Sequence, residues 1–159
     1  MRLRSTTSIR ILITVALAGS LIGCIGPSGQ RPGLRLSGSV VAEFPVDWSF
    51  ANEHQEVAIE VRTPYLVPHS VTIWCASTGK HLYVGARNAE TKNWPGWVAK
   101  HPNVRVRIGT QIYEARLSLV EDLRVLAEIL AVYATKYSLP NPPPAGAPPV
   151  RYWEVVRRS

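Results

Sequence analysis

Short runs in which apolar residues take every second position recur through the middle of the chain. The run at 56–62 reads EVAIEVR, and the run at 104–108 reads VRVRI. A period of two is typical of strands that bury one face. Further strand-like runs, rich in branched and aromatic residues, cover 39–44, 71–76, 82–86, 111–119 and 150–156. The pattern therefore predicts six or seven strands.

Turn residues join several of these runs directly. The sequence STGK at 77–80 separates two of them, and Gly109-Thr110 separates two others. Such short connections containing glycine favour hairpins, in which neighbouring strands pair antiparallel. We therefore predict a mainly β domain of the α+β class, with six or seven antiparallel strands in a barrel or sandwich and the helices outside it.

Two stretches have helical rather than strand periodicity. Trp94 and Trp97 share one face of a short crossover helix predicted over 93–100, which Pro102 ends. A long C-terminal helix is predicted over 121–137, where apolar residues repeat every three or four positions. Two acids at the start of this stretch suit the positive end of a helix dipole.

The first 23 residues have the pattern of a bacterial lipoprotein signal peptide. Three arginines without an acid precede an apolar run, which ends in Leu21-Ile22-Gly23-Cys24 and resembles a lipobox. The resemblance implies cleavage before Cys24 and acylation of its sulfur, with palmitate among the acyl chains. It also implies a lipid-anchored place in the cell envelope, at the outer membrane facing the periplasm in a Gram-negative host. A plain anchor helix and a secretory signal with a chance cysteine are the alternatives.

The remainder of the chain divides into linkers and one domain. Residues 24–38 are rich in Gly, Pro and Ser, and we expect them to form a lipidated flexible tether. The domain is predicted over 39–159, with a proline-rich spacer at 139–149 before the final strand. Removing the leader's three arginines from the net charge of +7 leaves +4, which does not indicate nucleic-acid binding. Arg105 and Arg107 are expected on a strand face that meets solvent or anionic lipid.

Thiol and metal chemistry have little support in the sequence. With Cys24 acylated, Cys75 is the remaining cysteine, and its apolar strand favours a buried small side chain over a reactive thiol. The chain contains neither CxxC nor HExxH, and its four histidines have no ligand spacing. No metal site is therefore predicted.

The order of the predicted elements and one phrase of sequence resemble a known superfamily. The matching residues are Lys92, Trp94, Pro102, Val104, Val106, Ile108 and Gly109. This phrase is similar to one in the split barrels of the pyridoxamine-phosphate oxidase-like superfamily, which includes deazaflavin-dependent nitroreductases. The resemblance implies a split β-barrel, FMN or a deazaflavin as cofactor, and a homodimer with pockets at the dimer interface.

Five residues are the candidates for holding such a cofactor. Arg87, Thr91 and Lys92 precede the short helix, where cations and backbone amides suit a phosphate group. Trp94 and Trp74 have rings that suit stacking on a planar ligand. Four of these residues have an alternative interpretation without a ligand. Arg87 and Lys92 are then solvated loop charges, and the two tryptophans are core residues.

Two functions are compatible with these observations. The first is an envelope lipoprotein whose split barrel binds a flavin-like or other planar ligand, as an oxidoreductase whose redox chemistry belongs to the cofactor. The second is a cofactor-free binding or structural module. The segment at 63–70 favours the second, because it has no Arg or Lys, whereas deazaflavin-dependent reductases carry a basic phosphate-binding segment there. The sequence identifies no catalytic residue and leaves enzymatic activity open.

Overall fold

The computed structural model describes residues 26–29 and 31–159. The strands and α-helices of this part are β1 (Ser39–Val41), β2 (Glu56–Val61), β3 (His69–Ser77), β4 (Leu82–Arg87), α1 (Asn93–Lys100), β5 (Asn103–Ile108), β6 (Gln111–Leu119), α2 (Leu123–Tyr137) and β7 (Val150–Arg157). Short 3-10 turns at Ser49–Glu53 and Ala89–Thr91 precede β2 and α1. Cys24 lies outside the described residues, so its lipidation stays a prediction.

Six of the strands close into an antiparallel barrel. Their order around the barrel is β2-β3-β4-β7-β6-β5, and the pairing of β5 with β2 completes the ring. The short β1 lies outside the ring and pairs in parallel with the start of β6. The predicted fold class, a mainly β antiparallel split barrel with one short and one long helix, is confirmed.

The barrel interior is filled by the apolar positions of the alternating runs. The inward side chains of β2 and β5 include Val57, Ile59, Val61, Val104, Val106 and Ile108, all buried in one cluster. Trp94 and Val98 of α1 belong to the same cluster, and so does Trp48. Removing this apolar surface from water is the main favourable contribution to the stability of the barrel.

The long helix α2 packs on the outside of the barrel, over β3, β4 and β7. The contact is made by Ile129, Tyr133, Ala76, Tyr83 and Tyr152. The Asp122 carboxylate accepts a hydrogen bond of 2.8 Å from the backbone N–H of Arg124 and so caps the start of the helix. This cap satisfies a donor that the helix leaves unpaired and places negative charge at the positive end of its dipole.

Element boundaries follow the sequence prediction closely where turn residues or prolines set them. The short helix spans Asn93–Lys100 as predicted, and β6 spans Gln111–Leu119 after a turn in which Gly109 has a φ of +58°. The long helix begins two residues later than predicted, because Asp122 is its cap. The first strand ends at Val41 instead of residue 44, and its parallel pairing was not predicted by the hairpin pattern.

Residues 31–38, which we call the strap, lie on the surface of the barrel. Leu36 is buried in a small cluster on the outer face of β2 and β6. Gly33 exchanges two backbone hydrogen bonds, of 2.8 and 2.9 Å, with Ser70 of β3. The stretch 24–38 has the composition of a tether, yet Gly33 and Leu36 in its second half contact four strands, β2, β3, β5 and β6.

Arg105 does not lie on the solvent-exposed face that the alternation predicted for it. Its guanidinium forms an ion pair of 2.9 Å with Glu60 and donates to the Leu36 carbonyl at 3.2 Å. The same Glu60 carboxylate accepts a 2.7 Å hydrogen bond from the Leu36 N–H. The prediction was wrong for Arg105 because the strap covers this part of the strand face. Hydrogen bonds to charged groups are stronger than neutral ones, so this pair holds the strap at Leu36.

Candidate functional site

The barrel is open between β3 and β4. The two strands pair with each other over residues 75–77 and 82–84, and beyond these pairs they separate. The first half of β3 pairs instead with β2, and the second half of β4 pairs with β7. A cavity of about 780 Å³, which we call the cleft, is lined by the separated halves of both strands. Its volume is within the roughly 300–1,000 Å³ of small-molecule sites.

A tyrosine hydroxyl from α2 lies at the point where the two strands separate. Tyr133 Oη is 3.0 Å from the carbonyl oxygen of Trp74 in β3 and 3.2 Å from that of Tyr83 in β4. The hydroxyl oxygen therefore lies within hydrogen-bond distance of two carbonyls that belong to opposite sides of the opening. The Tyr133 side chain is buried and also lines the cleft, so α2 forms part of the inner end of the cleft.

The structure brings all five sequence-predicted site residues to this one cleft. Arg87 is the last residue of β4, and Thr91 and Lys92 immediately precede α1. Trp94 is in the first turn of α1, and Trp74 is on β3. Side chains from both sides of the opening and from the crossover helix thus converge on one concave surface.

Positive charge predominates among the residues that line the cleft. Arg31, Arg87 and Lys92 are cationic, and Glu56 is a carboxylate. Within the described part of the chain these three cations form no ion pair, and residues 1–25 contain no Asp or Glu. Lys92 also precedes the amino-terminal turn of α1, where the helix dipole favours negative charge. The cleft is therefore suited to an anionic group.

The two tryptophans of the cleft differ in their surroundings. Trp94 is 4% exposed, and its ring centroid lies 4.9 Å from that of Trp153. Trp74 is 38% exposed and stacks on Tyr137 at a centroid distance of 4.3 Å and an angle of 8°. Trp94 is therefore a core residue that borders the cleft, while Trp74 offers ring surface to a ligand.

Burial and charge shift the pKa values of side chains around the cleft. Burial raises the pKa of the Tyr133 hydroxyl well above its usual value, so this group stays protonated and can donate to the carbonyls beside it. Burial also raises the pKa of Tyr152, and the nearby Arg87 guanidinium opposes that rise. Burial lowers the pKa of His69, which keeps its imidazole neutral at pH 7.

Sequence reasoning missed several residues that line the cleft. They are Arg31, Glu56, His69, Tyr133 and Tyr152. The helical period accounts for Tyr133 as a core residue and gives no sign of its hydroxyl contacts. Arg31 lies in a stretch of tether-like composition that does not disclose its docking. Thr91 is less available than its chemistry suggests, because its hydroxyl donates to the Asn88 carbonyl at 2.9 Å.

We expect Tyr133→Phe to lower the free energy of unfolding by about 1–3 kcal/mol, the cost of leaving buried carbonyls without their donor. For a chain of this length that corresponds to a fall in Tm of roughly 2–12 °C, measurable by thermal unfolding. Tyr65→Phe is the matched control, because Tyr65 is 57% exposed, and its loss should stay within about 0.5 kcal/mol. Equal Tm values for the two variants would contradict a structural role for the Tyr133 hydroxyl.

Other chemistry receives no support from the described part of the chain. Among residues 26–29 and 31–159, His, Cys, Asp and Glu side chains form no group that could hold a metal ion. The helices of the same residues are too short or too polar to cross a bilayer. Cys75 is buried and free, and burial raises its pKa although the Lys136 ammonium lies 3.6 Å from its sulfur. A protonated buried thiol is a poor nucleophile.

Solved structures with the same fold come from several bacteria. A candidate pyridoxamine 5'-phosphate oxidase from Listeria innocua is 16% identical, with a TM-score of 0.54 over 69% of this chain and 88% of that one. A conserved hypothetical protein from Mycobacterium tuberculosis is 15% identical, with a TM-score of 0.52 over 69% and 77%. A candidate 5-nitroimidazole antibiotic resistance protein from Bacteroides thetaiotaomicron is 12% identical, with a TM-score of 0.52 over 80% and 88%. At these identities the likeness establishes the split-barrel fold alone.

Sequence comparison places the chain in a family without extending the functional picture. No curated protein sequence matches it. One family model, described as an uncharacterized protein conserved in bacteria (DUF2255), matches residues 50–146, which is well over half of the 159 residues. The match includes β2 through α2 and therefore most of the residues that form the cleft. The chain belongs to the DUF2255 family of bacterial proteins.

Proposed function

We propose that the protein binds a planar, phosphate-bearing cofactor of the flavin class, FMN or a deazaflavin, in the cleft between β3 and β4. The observation that carries this proposal is the convergence of two cations, Arg87 and Lys92, and the exposed Trp74 ring on one cavity. The likeness of the fold to a candidate pyridoxamine 5'-phosphate oxidase supports it. The name of that protein refers to pyridoxamine 5'-phosphate, which combines a phosphate with an aromatic ring, and these are the two features that the cleft is suited to bind.

The donor set of the cleft fits the phosphate end of such a molecule. Arg87 supplies a planar guanidinium that can donate two parallel hydrogen bonds, and Lys92 supplies a compact ammonium beside the start of α1. The backbone N–H groups of that first turn are further donors, apart from Pro95, which has none. A phosphate near this turn would neutralise charges that have no carboxylate partner in the described structure.

The aromatic end of the ligand has a surface to stack on. Trp74 is held by its stacking on Tyr137, so its ring plane is already fixed before a ligand arrives. Preorganised aromatic surface loses little conformational entropy on binding. Tyr152 and Val150 of β7 contribute further apolar surface to the cleft. The cavity therefore offers a basic end and an aromatic side to one ligand.

A bound flavin would supply hydride or electron transfer, and this chain's own residues would bind and orient it. In this role Arg87 and Lys92 fix the phosphate, Trp74 fixes the plane of the ring, and Tyr133 holds the opening of the barrel at its inner end. None of these residues is assigned to proton transfer. The proposed activity is accordingly binding of a flavin-class cofactor, and the bound cofactor would serve an oxidoreductase reaction.

The test is a titration of the full chain, purified in mild detergent, with FMN, with a phosphate-bearing deazaflavin, and with riboflavin, which lacks the phosphate. We expect the protein to quench FMN fluorescence saturably, with a Kd in the micromolar range, which corresponds to a binding free energy of about −8 kcal/mol. Riboflavin should bind more weakly. Co-purification of a yellow chromophore would give the same result directly in the visible spectrum. The absence of FMN and deazaflavin binding up to about 100 μM, roughly −5.5 kcal/mol, would favour the cofactor-free module.

A further inference from the structure

The strap reaches the cleft from outside the barrel. Its first residue, Arg31, lines the same cavity as Arg87 and Lys92, and Pro32 and Gly29 line it too. These positions precede β1 and lie outside the segment 50–146 that the family model matches. The cavity is thus completed by a part of the chain that does not belong to the barrel itself.

We infer that the strap is a functional part of the binding site and delivers Arg31 as a third cation for the ligand's phosphate. This inference rests on the proposed function and adds to it a residue and a segment that the barrel does not contain. Arg31 is exposed and forms no ion pair with the acids of the described chain. A doubly charged phosphate is better neutralised by three cations than by two, particularly because Glu56 also lines the cleft.

Two attachments hold the strap in the position that this role requires. The first is the pair of backbone hydrogen bonds between Gly33 and Ser70. Gly33 is two residues after Arg31, and Ser70 is on β3, which borders the cleft. The second is Leu36, whose side chain is buried and whose backbone N–H and C=O are bound by Glu60 and Arg105. A long side chain held so near its anchor loses less freedom on binding than one at a free chain end.

The strap brings positive charge to a side of the cleft where the adjoining segment has none. The segment 63–70, which runs from the loop after β2 into the first two residues of β3, contains no Arg or Lys, although His69 lines the cleft. Arg31 reaches the cavity next to this strand because Gly33 pairs with Ser70. The strap therefore provides a cation beside β3, in addition to Arg87 and Lys92 of the same cleft.

The test compares two arginines of the same strap in the full chain. Arg31→Ala should weaken FMN binding about 10-fold, as expected for one hydrogen bond to a charged group, and leave riboflavin binding unchanged. Arg35→Ala is the matched control, since Arg35 is exposed and is not among the residues that line the cleft; its affinities should equal those of the native chain. Gly33→Pro removes the N–H donated to Ser70 and should reduce FMN affinity without adding to the effect of Arg31→Ala.

The outcomes separate this inference from the proposed function. If the native chain binds FMN and Arg31→Ala binds it as tightly as Arg35→Ala does, the role of the strap is refuted while the flavin site stands. If Arg31→Ala weakens FMN and riboflavin equally, the arginine does not act on the phosphate and the inference fails in that form. If the native chain binds neither FMN nor the deazaflavin, both the proposed function and the role of the strap are overturned.

Discussion

Replacing Trp94 by alanine is expected to lower the free energy of unfolding by about 3–5 kcal/mol, the usual range for deleting a buried large aromatic side chain. Trp94 is almost fully buried, packs on Trp153 and shares the interior cluster of the barrel. The loss combines the transfer of its apolar surface with the cavity that remains when neighbours relax incompletely. Urea unfolding followed by circular dichroism would measure it.

Trp74→Ala is the companion variant, and its effects should fall on binding more than on stability. Trp74 is partly exposed, and its main contact is the stacked Tyr137 ring, so we expect a stability loss of about 1–2 kcal/mol. Losing a stacking surface worth about 0.5–1.5 kcal/mol should weaken FMN roughly 2- to 13-fold. A greater stability loss for Trp74→Ala than for Trp94→Ala would contradict the assignment of these two residues to cleft surface and core.

The double variant Arg87→Ala/Lys92→Ala is expected to weaken FMN binding about 100-fold, taking about 1.4 kcal/mol for each cation–phosphate contact. The affinity for riboflavin should change little, because riboflavin lacks the group that these cations hold. The native affinity for FMN should also decrease with added salt, and the variant should lose most of that dependence. Fluorescence titration at two ionic strengths measures both effects.

The control for this variant is Lys80→Ala/Lys100→Ala, which removes the same charge from exposed positions that do not line the cleft. Lys100 is on the same helix as the site but in its last turn. If this control loses as much affinity as Arg87→Ala/Lys92→Ala does, the effect is one of overall charge and the phosphate site is misplaced. If neither variant differs from the native chain, FMN binds elsewhere.

Much of the fold could be predicted because local rules determine its hairpins. The alternation in β2 and β5 specifies the buried face, and the glycine turn at Gly109 specifies the pairing of β5 with β6. Closure of the ring is different, since β7 reaches β4 and β6 only after a proline-rich spacer. The periodicity of the sequence does not predict where a strand after such a spacer will pair, because its partners are the two strand edges, of β4 and β6, that the rest of the barrel leaves unpaired.

The cleft could be predicted in part for a similar reason. Arg87, Lys92 and Trp94 are close in sequence, so their convergence follows from a strand, a turn and a helix start. Tyr133 and Arg31 reach the cleft only through tertiary contacts that no local pattern encodes. A helix stripe records which residues are buried, but not that one hydroxyl contacts two strand carbonyls. The docking of the strap depends on Leu36, a single apolar residue in a stretch of tether composition.

The opening between β3 and β4 has a consequence for solubility. A strand that has lost its neighbour exposes backbone donors and acceptors that can pair with another molecule and start aggregation. In this barrel the opened edge of β3 is occupied at Ser70 by Gly33, and the Trp74 carbonyl is bonded to the Tyr133 hydroxyl. The contacts that shape the cleft therefore also occupy two points of this edge, which leaves fewer free backbone groups for strand addition by a second chain.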